Sequence, residues 1–441
     1  MDNTKTRLRK KNLILYTLPS VAGMCGMFLY VVVDGIFVGR GVGVDAIGAV
    51  NLALPFTLFA GALCTLMTVG GITITAIRLG RGDEKGANDA FRQAALLAFL
   101  VAALLMAAGL GFSRQIAVLS GANSTFFDMT AEYIFYYSAF SLPISLGFIL
   151  QGFVRNDGSP GLAGAAIIVG SLMNVFLDWL FIFPLQMGIK GAAIATGLGQ
   201  ISVVLILLSH FARRKGALRF GKTSFSPVLA SKIMRRGFPE MLSQFGTPVT
   251  TLCMNYVLIR MLGDLSVSAF SVMSYLTSFS MGIFLGVSEG LQPLIGQSYG
   301  KKDADELRFY FRSGMAVNLL ASLAVYVFLL VCGRYVYALF NSDLALLETI
   351  EVALPKFGWA FLLIALNLMI GAYLYSTKRT AQAAVIMFCR CIALNSVLIL
   401  FLPQLLGPEI IWYAAGFAEL SGFFVAVALL KHSEKNGIVF R

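Results

Sequence analysis

Two carboxylates lie inside long apolar stretches of this 441-residue chain. Asp34 stands in VVVDGIFVG (residues 31–39), and Asp178 stands in LMNVFLDWLFIF (172–183). An ionised carboxylate costs roughly 2.5–3.5 kcal/mol at the centre of a membrane helix, so acids in such places usually serve a function. Two neighbouring carboxylates hold a proton because like charges disfavour double ionisation, and their oxygens also suit a hard cation. Both acids are therefore candidate sites for a proton or Na⁺.

The composition predicts the elements that position these acids. The chain is 58% hydrophobic and 13% charged, whereas a soluble protein carries about 25% charged residues. Apolar runs of roughly 20 residues recur throughout, and each is long enough to cross a bilayer as a helix. The runs are too long and too uniformly apolar for barrel strands. We therefore predict an all-α integral membrane protein with twelve spans: 13–38, 46–76, 94–112, 129–153, 162–184, 190–211, 237–261, 266–295, 313–333, 349–376, 381–402 and 409–430.

The positive charges predict the orientation of these spans. With the N-terminus inside, 27 of the 34 Lys and Arg residues fall in the segments on the cytoplasmic side. This bias favours cytoplasmic N- and C-termini in a multi-pass protein of the plasma (inner) membrane. The net charge of +12 therefore indicates topology and contact with anionic lipid headgroups, not a nucleic-acid partner.

The second half of the chain repeats the first in a nearly constant register. Pro19 matches Pro239, and later the register drifts by about one residue, so that Asn174 pairs with Asn395. Six spans per half give both halves the same orientation, so a pseudo-two-fold axis along the membrane normal relates them. The predicted divisions are an N-lobe (1–212), a basic cytoplasmic linker (213–236), a C-lobe (237–430) and a cytoplasmic tail (431–441).

The repeat provides an internal control for the two acids. Asp34 aligns with Met254, and Asp178 aligns with Ile399 or a neighbour. Structural features should recur in both halves, whereas a specialised site need not. The asymmetry therefore argues against a purely structural role, in which the acids would only form hydrogen bonds to neighbouring helices.

Depth places further oxygens in the same layer. Asp34, Asp178 and Thr196 each lie six residues from the outer end of a span, or about 9 Å below the same surface. Asn174 precedes Asp178 by four residues and shares its helix face. Two carboxylates, an amide and a hydroxyl can therefore form one site for H⁺ or Na⁺, and the sequence does not choose between these ions. Asn174 and Thr196 could instead simply join helices.

Pro19 lies in span 1, fifteen residues before Asp34, and predicts a kink because proline removes a helix hydrogen bond. The kink could respond to the charge state of Asp34. It could equally be a fixed bend, because the repeat keeps Pro239 without keeping the acid.

Four segments make the sequence resemble the multidrug and toxic compound extrusion (MATE) transporters, especially their DinF-like branch. They are VDGIFVGRGVGVDAIGAVNLALPF (33–56), RNDGSPGLA (155–163), LMNVFLDWLFIFPLQMGIKGAAIATGLGQ (172–200) and SEGLQPLIGQSYGKKD (288–303). The resemblance covers essentially the whole chain. It implies two six-helix lobes and cation-coupled export of amphipathic, often cationic, compounds.

The resemblance also implies roles for individual residues. In the DinF-like branch the N-lobe ion site consists of two acids, an asparagine and a threonine, which correspond to Asp34, Asp178, Asn174 and Thr196. Bending of helix 1 at its proline corresponds to Pro19. The NorM-like branch has acids on helices 7 and 10 of the C-lobe. For such a site helix 10 here offers Asn367 and not an acid, so a sodium site of that type is not expected.

Six further residues are candidates for a substrate site or a C-lobe site: Glu289, Gln151, Tyr133, Tyr137, Met254 and Met281. Glu289 could attract a cationic drug or lock a conformation. The tyrosines could line a cavity or belong to the aromatic belt. The methionines could pack around varied ligands or belong to the ordinary core.

These observations favour a secondary active antiporter that exports drugs or toxic organic cations in exchange for H⁺ or Na⁺. We expect no cofactor besides the ion, contact with membrane lipids, and a monomer. No phosphate-binding loop or catalytic constellation is present, so neither an enzyme nor ATP coupling is predicted. Two alternatives are a flippase for lipid-linked precursors and a membrane scaffold or receptor that transports nothing.

Overall fold

The computed structural model describes residues 2–122, 124, 126–222, 224–338 and 344–435. Within these ranges the chain forms helices and short connections, without a β-strand. The last six residues of the predicted tail (431–441) lie outside the described residues.

The helices are α1 (Asp2–Gly41), α2 (Val44–Gly80), α3 (Glu84–Leu119), α4 (Phe127–Ala139), α5 (Ser141–Asn156), α6 (Pro160–Ile182), α7 (Ile189–Ala212), α8 (Pro227–Gln244), α9 (Gly246–Met261), α10 (Asp264–Lys301), α11 (Ala304–Ala338), α12 (Leu344–Gly358), α13 (Ala360–Ser376), α14 (Thr380–Phe388), α15 (Leu394–Leu406) and α16 (Ile411–Lys435). A π-helical segment, Cys389–Ala393, joins α14 to α15, and a short 3-10 turn, Pro408–Ile410, precedes α16.

Every predicted span falls on these helices, but the helices extend further than hydropathy indicates. Ten described helical segments are long and apolar enough to cross a membrane, and α4 with α5 forms an eleventh, bent by 54°. The predicted span 237–261 corresponds to the end of α8 and all of α9. It is less apolar and breaks at Phe245, so neither helix alone passes the same test. The helices continue beyond the apolar spans as polar turns that stop at capping residues. For example, α3 begins at Glu84, where the side chain of Asp83 accepts a hydrogen bond from the backbone N–H of Gly86.

The predicted repeat is visible in the turns. Gly43 between α1 and α2 has a φ of 128°, and Gly263 between α9 and α10 has a φ of 82°. Glycine adopts positive φ at little cost, so the same turn is encoded at matching positions of both halves.

The chain separates into two compact units, one from Ile14 to Gly237 and one from Phe238 onward that also includes the described residues up to Leu13. The basic segment 213–236, predicted as a linker, belongs to the first unit. Its last third is already helical because α8 begins at Pro227, where the Oγ of Ser226 accepts a hydrogen bond from a backbone N–H.

A buried aspartate fixes the linker to the first unit. Asp157 lies in the turn between α5 and α6, where it accepts hydrogen bonds from the backbone N–H groups of Ala217 and Leu218. Its Oδ2 also lies 2.9 Å from Nε2 of His210, and both side chains are almost completely buried. The linker thus has a defined path over the end of this unit.

Close packing of α1 on α6 positions the two acids. α1 runs as one helix through Pro19, and Gly164 of α6 lies directly against that proline. A Cβ added to Gly164 would lie 2.4 Å from the Pro19 carbonyl oxygen, and one added to Gly23 would lie 2.8 Å from Ile167. Small residues let membrane helices approach in this way, and Asp34 and Asp178 lie on these same two helices.

We predict that Gly164→Ala separates α1 from α6 and lowers the melting temperature of the purified protein, because overpacking costs about 1–3 kcal/mol. Gly161→Ala is the matched control, since a Cβ at Gly161 on the same helix would meet no atom within 4 Å. Thermal unfolding in detergent, followed by tryptophan fluorescence, compares the two variants. Equal melting temperatures would contradict the packing described here.

Candidate functional site: a buried acid pair

Asp34 of α1 and Asp178 of α6 lie within interaction distance of one another. Asp178 is fully buried, and neither of its carboxyl oxygens has a hydrogen-bond donor among the described residues; the same holds for Oδ1 of Asp34. Buried polar atoms normally find a partner. Two adjacent carboxyl groups with unfilled acceptor positions have the chemistry to bind a proton or a small cation.

Asn174 and Thr196 add neutral oxygens beside the pair. Asn174 lies one turn before Asp178 on α6, and its Nδ2 is 3.4 Å from Oγ1 of Thr196 on α7. Its own Oδ1 is buried, and no hydrogen-bond donor reaches it in the described part of the chain. The structure thus brings together all four residues that the sequence assigned to one layer.

A cavity of about 20 Å³ lies beside this site and has room for about one water molecule. Asn174, Thr196, Gln151 and Tyr30 are among the residues that line it. Gln151, predicted as a possible substrate residue, therefore lines the same cavity as Asn174 and Thr196. The acids themselves are not among the described residues that line this cavity.

Two tyrosines lie near the acids, a third stacks on one of them, and Tyr30 was missed in the sequence. The side chains of Tyr30 and Tyr133 lie within electrostatic range of both Asp34 and Asp178. The Tyr133 ring stacks on that of Tyr137 at a centroid distance of 6.1 Å. Tyr30 precedes Asp34 by four residues, so the shared helix face was a signal that could have identified it.

The donor set indicates which metals could bind. No group of three or more His, Cys, Asp or Glu side chains suited to a metal occurs among the described residues. Carboxyl, amide and hydroxyl oxygens suit hard cations better than zinc or copper. Na⁺ or a proton therefore fits the site better than a transition metal.

The remaining candidates lie elsewhere. Pro19 is an interior position of the continuous helix α1. Glu289 of α10 is half-buried and lies within electrostatic range of Glu240. Met281 lines a cavity in the second unit. Met254 belongs to the apolar core of that unit and is fully buried, so the prediction that it faces a ligand lacks support.

The alignment partners of the two acids are both core residues. Met254 corresponds to Asp34 and Ile399 to Asp178, and each side chain is completely buried in the same apolar cluster. Apolar side chains therefore fill, in the second unit, the positions that the acid pair occupies in the first.

Comparison with known proteins is consistent with this geometry. The MatE family model matches twice, over residues 19–180 and 239–401. Multidrug export protein MepA of Staphylococcus aureus (strain bovine RF122 / ET3-1) is 22% identical over 393 residues, which cover 88% of this chain and 86% of that protein. The MepA of Staphylococcus saprophyticus is 21% identical and covers 88% of this chain and 86% of that protein.

Solved structures show the same fold. A MATE structure in complex with MaL6 has a TM-score of 0.90 at 22% identity, and the match covers 97% of both chains. An outward-facing multidrug resistance MATE family transporter of the MOP superfamily has a TM-score of 0.89 at 23% identity, again over 97% of both chains.

These likenesses confirm the predicted fold of twelve membrane helices in two lobes, while the DinF-like branch stays a prediction. The two matched ranges begin at Pro19 and Pro239, the same pair of prolines that marks the repeat in the sequence. Since the family model covers most of the sequence, the chain belongs to the MatE family.

Proposed function

We propose that this protein is a secondary active antiporter that exports amphipathic organic cations in exchange for H⁺ or Na⁺. The observation that carries the proposal is the close pair of Asp34 and Asp178, in which neither oxygen of Asp178 nor Oδ1 of Asp34 has a hydrogen-bond donor within the described residues. Two curated relatives are named multidrug export proteins, which supports the drug-export part. The members of this family are transporters, not enzymes.

The acid pair can couple an ion to transport because its charge must be compensated inside the membrane. With both carboxylates ionised, two like charges face each other in a poorly solvated site, which is unfavourable. One proton or one Na⁺ relieves the repulsion and stabilises the conformation that holds α1 and α6 together. Exchange follows if the drug stabilises the alternative conformation, since two ligands that bias one equilibrium in opposite directions are coupled.

The orientation follows from the charge bias described above. We take both termini to be cytoplasmic and the membrane to be the plasma membrane, so that the acid pair lies in the outer half. An inward ion gradient would then load the site from outside and drive export.

We predict that Asp34→Asn and Asp178→Asn each reduce ion-driven ethidium export from proteoliposomes by at least about tenfold. The reason is that a neutral amide can neither bind a proton nor balance the charge of Na⁺. Asp128→Asn is the matched control, since that carboxylate is 83% exposed and pairs with Arg114 at the surface of the same unit. Wild-type rates from both core variants would disprove the role of the pair.

The same vesicles identify the ion. An imposed pH gradient without Na⁺ should drive export if the ion is the proton. A Na⁺ gradient at equal pH on both sides should drive export if the ion is Na⁺. The two aspartate variants should lose whichever response the wild type has.

We also predict that Tyr30→Phe shifts the ion concentration for half-maximal export by up to about tenfold while leaving the maximal rate near the wild-type value. The Tyr30 hydroxyl lies within electrostatic range of both acids, and a hydrogen bond that it gains to an ionised carboxylate when the ion leaves would contribute about 1.5–3 kcal/mol, part of which water can replace. Tyr136→Phe on α4 is the control. An unchanged ion dependence in Tyr30→Phe would show that this hydroxyl does not serve the acids.

A further inference from the structure

The second unit contains a buried arginine that the proposed ion exchange does not use. Arg390 lies in the membrane-crossing segment between α14 and α15, and only 4% of its surface is exposed. It borders a cavity of about 130 Å³. An arginine inside a membrane segment is costly, so such residues usually mark a ligand pathway or a charge pair.

Glu419 of α16 pairs with this arginine but does not use all of its donors. Nε and Nη2 of Arg390 donate to the Glu419 carboxylate at distances of 3.0–3.3 Å, and Nδ2 of Asn367 donates to the same carboxylate at 2.7 Å. Nη1 makes only a 3.6 Å contact with the sulfur of Met387. A guanidinium carries five N–H donors, so part of it stays available to an acceptor in the cavity.

The repeat shows that this charge pair is not a requirement of the fold. The register that pairs Pro19 with Pro239 matches Arg390 with Gly170. The glycines with positive φ before the last helix of each half, Gly188 and Gly407, set a later register, which matches Glu419 with Gln200. The second unit therefore has an ion pair where the first unit has two neutral residues, which line its small cavity.

The π-helical segment explains how the side chain of Arg390 is accommodated. A π turn holds one residue more than an α turn, and such turns are frequent at functional sites. The register between the two halves shifts by one residue over the same stretch. Arg390 still matches Gly170 in the earlier register, whereas Asn395 pairs with Asn174 in the later one. One additional residue in Cys389–Ala393 therefore changes the helix at the cavity wall.

The part of the cavity lining that α10 contributes presents hydrogen-bond acceptors. The hydroxyls of Ser274, Thr277 and Ser278 on α10 line the cavity, and each donates its proton to the backbone carbonyl four residues earlier, at 2.8–2.9 Å. With the donors occupied, the oxygen lone pairs are what these hydroxyls offer to a ligand. The carboxyl group of Glu240 on α8 lies within electrostatic range of Arg390.

We propose that this cavity is a second ligand site and that it binds a small zwitterion, or the zwitterionic end of a larger compound. The ligand carboxylate would meet the available edge of Arg390, and its ammonium would meet the hydroxyl oxygens and the Glu419 carboxylate, which also lines the cavity. A simple cation would leave the guanidinium edge without an acceptor, and a simple anion would face the Glu419 carboxylate. The inference rests on the proposed export function, because we take the zwitterion to be an exported compound.

Three fluorescent probes with the same reporter group test the charge requirement. Nε-dansyl-lysine carries an ammonium and a carboxylate, dansylcadaverine lacks the carboxylate, and N-dansyl-6-aminohexanoic acid lacks the ammonium. We expect dansyl-lysine to bind the purified full-length protein in nanodiscs at least about tenfold more tightly than either other probe, as one charge-assisted hydrogen bond would give. Equal affinity for all three would overturn the proposal.

Arg390→Gln should weaken dansyl-lysine binding by at least about tenfold while changing dansylcadaverine binding less than about twofold. The matched control is Arg334→Gln, which removes the arginine of an exposed Arg–Glu pair in the same unit. Unchanged dansyl-lysine binding in Arg390→Gln would overturn the assignment.

A second variant decides the matter if Arg390→Gln fails to fold. Thr277→Val keeps the side-chain shape and removes one acceptor, so dansyl-lysine binding should weaken severalfold. Thr349→Val is its control, because that hydroxyl makes the same backbone hydrogen bond on an exposed face. Wild-type binding in Thr277→Val would contradict the assignment of the α10 hydroxyls as acceptors for the ligand.

Ethidium export separates this inference from the proposed function. If wild-type protein exports ethidium but binds dansyl-lysine independently of Arg390, the second site is wrong and the antiporter stands. If wild-type protein exports nothing under either ion gradient while Arg390→Gln abolishes dansyl-lysine binding, the site stands and the antiporter is wrong.

Discussion

The rest of this structure depends on one interaction, the mutual repulsion of two carboxylates in a poorly hydrated place. Asp34 and Asp178 come from helices far apart in sequence, and the glycine contact beneath Pro19 brings those helices together. A fold that only needed stability would place apolar side chains there, as the second unit does with Met254 and Ile399. In the proposed exchange, compensation of this charge by an ion becomes a condition for keeping α1 and α6 together, as coupled transport requires.

The two repeated units carry their buried charged residues at different positions along matching helices. The first unit carries its acids where the second is apolar, and it has Gly170 and Gln200 where the second carries Arg390 and Glu419. Asn174 and Asn395 remain polar in both, each donating to a threonine hydroxyl, Thr196 and Thr250 respectively. The shared scaffold is therefore compatible with more than one arrangement of buried charge.

Much of this could be predicted from the sequence because membrane helices impose simple rules. Hydropathy located the spans, and spacing from their ends placed Asp34, Asp178, Asn174 and Thr196 together. Hydropathy does not report where a helix ends in water or breaks, so α3 is longer than expected and α8 begins within the predicted linker. The pairing of Arg390 with Glu419 was missed because it depends on which faces of α14–α16 meet, although the neutral residues at the matching positions of the first half were a usable signal.

The π turn at Cys389–Ala393 has a consequence for how such proteins diversify. A change in length of one residue inside a helix rotates everything beyond it by about 100° relative to what precedes it. The turn confines that rotation to a short segment, so the rest of the helix keeps its packing. A buried polar site can thus arise by a small insertion within a duplicated half, without rebuilding the core one substitution at a time.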